Sequence, residues 1–271
     1  MPITLGNSDT LYIRIGKGRF VFTCYDRVKD NTLNYRCFDV NKNMSLNANM
    51  HKALASHALM GEGRGRVYVS VDTPVTLVPL NEFDDEEMPN IYSYNFPDEN
   101  NRMHVLYDML PLQNAVMLGA VDKDLEHTIL ETYPGATFHP SLTPLILHYA
   151  SLCDNTSQSG KMFVSFMEDD MTIACFRGNK ISLLNTFSGV KNIENALYYT
   201  LSIARQGNIN PESYEVYIVG NGALESSMCK ELHKYLPQTF LFEPENAIRR
   251  YVQVLEDNLP YDMIVLLLKA Y

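Results

Sequence analysis

No two cysteines in the sequence stand in C-x-x-C spacing, no two histidines stand four apart, and no Gly-x-Ser-x-Gly elbow occurs. The five cysteines (Cys24, Cys37, Cys153, Cys175, Cys229) are odd in number, which argues against a disulfide framework and against a zinc site. They read as buried reduced thiols acting as small hydrophobes. The histidines (His51, His57, His104, His127, His139, His148, His233) show no H-x-x-x-H pairing, so no metal site is expected. Without an elbow, the Ser-Leu-Cys153 triplet has no partner for nucleophilic chemistry. Long apolar runs are missing too. The longest, Met263 to Leu268, falls far short of the roughly 20 residues a membrane span needs, and no charged head precedes an apolar stretch near Met1. The chain therefore reads as cytoplasmic, with no membrane insertion. Positive charge is scarce: 22 basic residues against 32 acidic give a formal charge of −10, which repels a phosphate backbone and excludes nucleic acid as a partner. Finally, Gly61-Glu-Gly-Arg-Gly65 precedes a strand candidate, whereas a dinucleotide fingerprint follows one, so it reads as a link between elements.

What is present is a repeat. In 271 residues, 46% of them hydrophobic, there is material for two ordinary domains. An offset of 151 lays Leu11-Tyr-Ile over Met162-Phe-Val and Phe22-Thr-Cys-Tyr25 over Ile173-Ala-Cys-Phe176. Each copy is an alternating, aromatic-rich hairpin around a polar turn, Gly16-Lys17-Gly18 in the first and Glu168-Asp169-Asp170 in the second. A third strand candidate follows each hairpin, Leu33 to Phe38 and Ile181 to Phe187. In the second copy Ser188 is a candidate cap for a helix whose face carries Ile193, Leu197, Leu201 and Ala204. Then come a strand ending in Gly220, a helix from about Ala223 to Tyr235, a short strand from Thr239 to Phe242 and a last helix from Glu245 to Leu255. The first copy closes in the same way, with Ala115-Val-Met-Leu-Gly119 matched to Glu215–Gly220, a helix near Lys123 to Tyr133, a strand within Pro134–Phe138 and a helix from Leu142 to Ala150.

The change of offset implies a β-rich insertion over about 61–113, with strand candidates Arg66 to Val71, Val75 to Pro79, Ile91 to Asn95 and Met103 to Asp108, and the acidic run Glu82 to Glu87 as an exposed loop. Residues 154–160 are polar and read as a linker. The expected domains are thus 1–153 and 161–271, each a mixed sheet flanked by helices, with a ligand crevice between the copies.

This order of elements resembles the actin, sugar kinase and Hsp70 superfamily, whose domains duplicate a ribonuclease H-like, mixed α/β fold. Within it the chain looks most like an uncharacterised bacterial family related to the actin-like cytoplasmic proteins of type IV pilus and type II secretion assembly. The signatures are Thr76-Leu-Val-Pro79 followed by Phe83-Asp84, and an aromatic strand end followed by the helix of Tyr198-Tyr199. The resemblance implies an ATP site whose first hairpin holds an Asp-x-Gly for the magnesium hydration shell, and whose second holds an Asp and a glycine run against the phosphates. Here Arg14 stands at the first carboxylate position, and Ser165-Phe-Met-Glu-Asp-Asp170 replaces the second. Two acids beside a triphosphate would repel it by on the order of several kcal/mol. The third implied element, Val219-Gly220-Asn221-Gly222, matches the glycine turn under the adenosine.

The candidate cleft residues are therefore Gly16, Lys17, Gly18, Ser165, Gly220, Asn221 and Gly222, with no catalytic residue, no metal and ATP disfavoured as cofactor. The expected function is a non-catalytic, protein-binding adaptor or scaffold. The alternative is a nucleotide-binding switch in which Lys17 and Arg19 replace the metal as counter-charges. Self-association through the lobes is a third reading. A two-metal nuclease on the same core would need carboxylates at strand centres; Asp108 and Asp122 follow strand candidates, but neither first strand carries an acid.

Overall fold

In the computed structural model, which describes residues 10–26, 32–56, 66–97, 102–154, 160–220, 223–242 and 259–269, the chain divides into two compact units. One comprises Met1–Leu145 with Ala247–Tyr271, the other Ile146–Asn246.

The strands of the first unit are β1 (Thr10–Ile15), β2 (Arg19–Asp26), β3 (Thr32–Asp39), β4 (Arg66–Val71), β5 (Thr76–Pro79), β6 (Met103–Leu110), β7 (Ala115–Asp122) and β8 (Ala136–Pro140). Five of them form a sheet in the order β3-β2-β1-β4-β8, with β1 antiparallel to β2 and parallel to β4. Alternation along the strands sorts their side chains. Leu11, Ile13, Ile15, Phe20, Phe22, Val67 and Val69 face a core completed by Met50 and Ala53 of α1 (Leu46–Ala55). Two short helices then follow in the chain, α2 (Met88–Asn95) and α3 (Lys123–Thr132), and the latter adds Leu125 and Ile129 to that core. Ser45 caps α1 by accepting from Ala48 N, and Asp122 caps α3 by accepting from Leu125 N.

The helix α4 (Leu142–Ser151) leads into the second unit, where β9 (Gly160–Met167), β10 (Asp170–Arg177), β11 (Lys180–Phe187), β12 (Tyr214–Val219) and β13 (Thr239–Leu241) order as β11-β10-β9-β12-β13. The strand order repeats that of the first sheet, and the three central strands repeat its register as well. Leu11 lies opposite Cys24 and Val67, and Met162 lies opposite Cys175 and Val216. The core face is covered by α5 (Ile193–Gln206) and α6 (Ala223–Leu232). Cys24 and Cys175 are buried, and burial pushes the Cys175 thiol up to about 12. Cys37, Cys153 and Cys229 are only partly covered.

Four expectations change. The strand matching β12 is β4, not Ala115–Gly119, so the insertion runs between β4 and α3 and builds a separate three-stranded sheet, β5-β7-β6. β7 passes for a parallel core strand because it is apolar throughout. It is buried on both faces: Val116, Leu118 and Ala120 pack under α2, while Gly119 lies so close to Thr73 and Pro140 that a Cβ would stand 2.8 Å and 3.0 Å from them.

Ile91 to Asn95 is helix rather than strand. Ile-Tyr-Ser-Tyr-Asn alternates like a strand, but Met88, Ile91, Tyr92 and Phe96 follow helical spacing and all pack on the small sheet. The cap of α5 is Asn192, not Ser188, and its buried line is Ala196, Thr200, Ile203 and Ala204, with Leu197 and Leu201 at the margin.

Lastly, the C-terminal part of 161–271 belongs with the first unit. The seventh described helix, α7 (Tyr261–Lys269), sets Met263, Leu266 and Leu267 against Tyr12 on the face of β1 turned away from the α1–α3 core. An apolar run does not state which of two similar sheets it will cover. The expected helix over 245–255 and most of the expected linker lie outside the described residues. Among the described residues no helix is long and apolar enough to cross a membrane.

Candidate functional site

Both hairpins place a polar residue at the same point of the first strand, facing away from the helical core: Arg14 on β1 and Ser165 on β9. The alternation that turns Ile13 and Ile15 into the core turns Arg14 to the side where α7 packs. There it is only 1% exposed. Its Nε donates to Asp262 Oδ2 at 2.7 Å, and Nη2 lies 3.6 Å from Asp72 Oδ2. Asp262 stands in the first turn of α7, itself 1% exposed, and its Oδ1 accepts from Met263 N. A carboxylate at a helix N-terminus is favoured by the helix dipole as well as by the guanidinium.

Next in the chain, the turn Gly16-Lys17-Gly18 is closed by Gly16 N donating to Arg19 O at 3.0 Å. Lys17 is exposed, and Gly18 O accepts from Val40 N. Arg19, a proposed counter-charge in the nucleotide reading, pairs on the surface with Asp39 at 3.1 Å.

In the second unit Ser165 is 3% exposed, and its Oγ stands 3.0 Å from the hydroxyl of Tyr149, whose ring stacks on Phe163 with centroids 4.2 Å apart. Ser165 pairs in register with Val219, so the structure brings it beside Gly220. Gly220 has φ +136, and a Cβ there would lie 2.6 Å from Glu225 Oε1. Glycine is favoured at this turn by its conformation, and the space beside it is taken by the Glu225 side chain. Asn221 and Gly222 lie outside the described residues.

The Glu168-Asp169 turn is acidic and tied down: Val190 N donates to Asp169 O at 2.8 Å, and Lys191 Nζ lies 2.7 Å from Asp169 Oδ2. Glu168 is exposed in a left-handed conformation, φ 53. Replacing it with glycine removes that strain, so Glu168→Gly is expected to raise the unfolding free energy by up to about 1 kcal/mol in urea titrations. The full replacement of Glu168, Asp169 and Asp170 by glycine leaves the hairpin folded, and nucleotide affinity, if it moves, rises.

The arrangement spends its charge internally. Where the resemblance implies a metal-holding carboxylate, the first hairpin holds a cation already matched by carboxylates of its own unit. Sequence reasoning missed those partners, Asp72 and Asp262, and also Tyr149 and Glu225. One signal was available: an arginine in the middle of an apolar strand demands a buried acid. Histidines without partners in sequence find them in space, since His139 Nδ1 lies 2.7 Å from Asp108 Oδ1 and His104 Nδ1 lies 2.8 Å from Glu126. Among the described residues no group of three His, Cys, Asp or Glu side chains is placed to hold a metal ion.

This fold is shared with a solved protein of Bacteroides thetaiotaomicron described as having an actin-like ATPase fold and unknown function. The two are 26% identical, the match covers 95% of each chain, and the TM-score is 0.81. The PilM–PilN type IV pilus biogenesis complex contains a chain of the same fold at 13% identity, covering 99% of this chain and 98% of that one, with a TM-score of 0.55. No curated protein matches the sequence. Residues 3–239 match the family described as protein of unknown function DUF3822, and with its actin-like fold of two duplicated sheets the chain belongs to that family.

Proposed function

We propose that the protein is a non-catalytic actin-like protein that serves as a protein-binding adaptor or scaffold. The observation that carries this reading is the engagement of Arg14 by Asp262 and Asp72 at the hairpin position where magnesium nucleotide would need a free carboxylate. A cation held at 2.7 Å by a carboxylate as buried as itself is not on offer to a phosphate, because detaching it would leave Asp262 charged and unmatched. Ser165, bonded to Tyr149, and the acidic turn after it support the same conclusion for the second hairpin. The likeness in fold to a member of the PilM–PilN complex, a protein assembly, supports binding to another protein as the use of the scaffold. The formal charge of −10 keeps nucleic acid out of the account.

The test is affinity capture of the full chain from native lysate, run in parallel with magnesium ATP and with nucleotide removed by apyrase. A stoichiometric protein partner retained equally in both arms is the expected result. Failure to recover any stoichiometric partner, or release of the partner by nucleotide, overturns the reading.

A further inference from the structure

The inserted module carries nearly all of the protein's net charge. Residues 72–122 hold ten acidic side chains and one basic, a formal −9, against −10 for the whole chain, so the remainder is close to neutral. Five of these acids, Glu82, Asp84, Asp85, Glu86 and Glu87, are exposed on the loop after β5. Phe83, inside that loop, reaches Tyr107 of β6 with ring centroids 5.4 Å apart, which sets the carboxylates beside an apolar ledge. The ledge consists of Tyr107, 45% exposed, Met109, 47%, and Leu112 just beyond the strand, 70%.

The strand beneath the ledge is an outer one. In the order β5-β7-β6 the eight-residue β6 pairs, among the described residues, with β7 alone, in unbroken register. Lys123 N donates to Arg102 O, which makes Arg102 and Lys123 a hydrogen-bonded pair. By the antiparallel alternation the N–H and C=O groups of Met103, Val105, Tyr107 and Met109 then point outward from the sheet. Soluble proteins blunt such edges with lysine, proline or a bulge, and β6, Met-His-Val-Leu-Tyr-Asp-Met-Leu, has none of these.

Two occupants suit an apolar edge left unpaired among the described residues, a second copy of this chain or a different protein, and charge decides between them. Pairing β6 with β6 would bring two −9 modules together, whereas a basic segment would be attracted. The geometry points to β6 as the docking strand for an extended, lysine- or arginine-bearing segment of a partner protein. The segment adds to the sheet edge, lays its apolar side chains on Tyr107, Met109 and Leu112, and turns its cations toward the loop of Glu82–Glu87. This rests on the adaptor reading and names its contact surface.

The probe is a fluorescein-labelled decapeptide of alternating lysine and valine, titrated by anisotropy against the full chain, with a glutamate–valine decapeptide as control. Saturable binding of the lysine peptide only is expected. It should weaken at least tenfold in Tyr107→Lys/Met109→Lys, whose changes are confined to exposed side chains. It should weaken to a similar degree in Tyr107→Pro, which removes one outward N–H and leaves the β7 ladder intact. Absence of saturable binding, binding unchanged in both variants, or a dimer in sedimentation that Tyr107→Lys/Met109→Lys dissolves would overturn the proposal. The adaptor reading fails separately: a lysate partner retained in full by both variants keeps that reading and removes β6 from it.

Discussion

Arg14→Met is expected to lower the unfolding free energy by about 3–5 kcal/mol, because it leaves Asp262 buried, charged and without its cation. The reverse deletion, Asp262→Leu, takes from the buried guanidinium its carboxylate at 2.7 Å, while Asp72 stays at 3.6 Å, and should cost nearly as much. The double variant Arg14→Met/Asp262→Leu should recover most of the loss, since apolar side chains of similar volume replace buried ion pairs at little cost. Urea unfolding of the four proteins closes the cycle, and a coupling energy of about 2 kcal/mol or more is the expected value. Single variants that each lose under about 1 kcal/mol would mean the pair is solvated and the arginine available, contrary to its burial. Because Asp262 lies on α7 beside Met263, and Met263 packs on Tyr12, the same deletion should also loosen α7. Hydrogen exchange of that helix should speed up in Arg14→Met.

Gly160→Ala is the second large effect. Gly160 pairs in register with Tyr214, and a Cβ there would overlap the Cε2 edge of the Tyr214 ring. The ring cannot swing aside freely, because its hydroxyl donates to Phe176 O at 2.9 Å in the buried interior of the second sheet. A substitution of one methyl group must therefore either displace the strand or give up that hydrogen bond, and a loss of about 3 kcal/mol follows from overpacking together with an orphaned buried hydroxyl. The check is the rescue: Gly160→Ala/Tyr214→Val clears the overlap and should be more stable than Gly160→Ala alone. Tolerance of the single alanine variant would mean that β9 begins with more freedom than the register allows.

These two positions also mark what sequence could and could not disclose. The hairpins were legible because their side chains alternate, so that Leu11 over Met162 and Cys24 over Cys175 predict a register the sheets adopt. The same alternation marked Arg14 as a departure from the resemblance, but not as part of a pair. Its partner is 248 residues away on a helix whose apolar run fits either sheet equally well. β7 misled for a physical reason: a strand buried on both faces looks the same in a small antiparallel sheet as in a parallel core. α2 misled because Tyr92 and Tyr94 alternate with Ser93 and Asn95 as in a strand, and only Met88 and Phe96 extend the pattern far enough to show a helix. Gly160 carried no signal at all, since the need for it is written in the ring of Tyr214.

The most direct test of the central claim is a calorimetric titration of the full chain with magnesium ATP, ADP and GTP, accompanied by thermal unfolding at the highest nucleotide concentration. A ligand at 100 times its dissociation constant stabilises a fold by about 2.7 kcal/mol, a shift easily seen in unfolding. With Arg14 engaged by Asp262 and the second turn acidic, no saturable heat and an unmoved Tm are expected up to millimolar nucleotide. Saturable binding at micromolar affinity, with a matching rise in Tm, would contradict it.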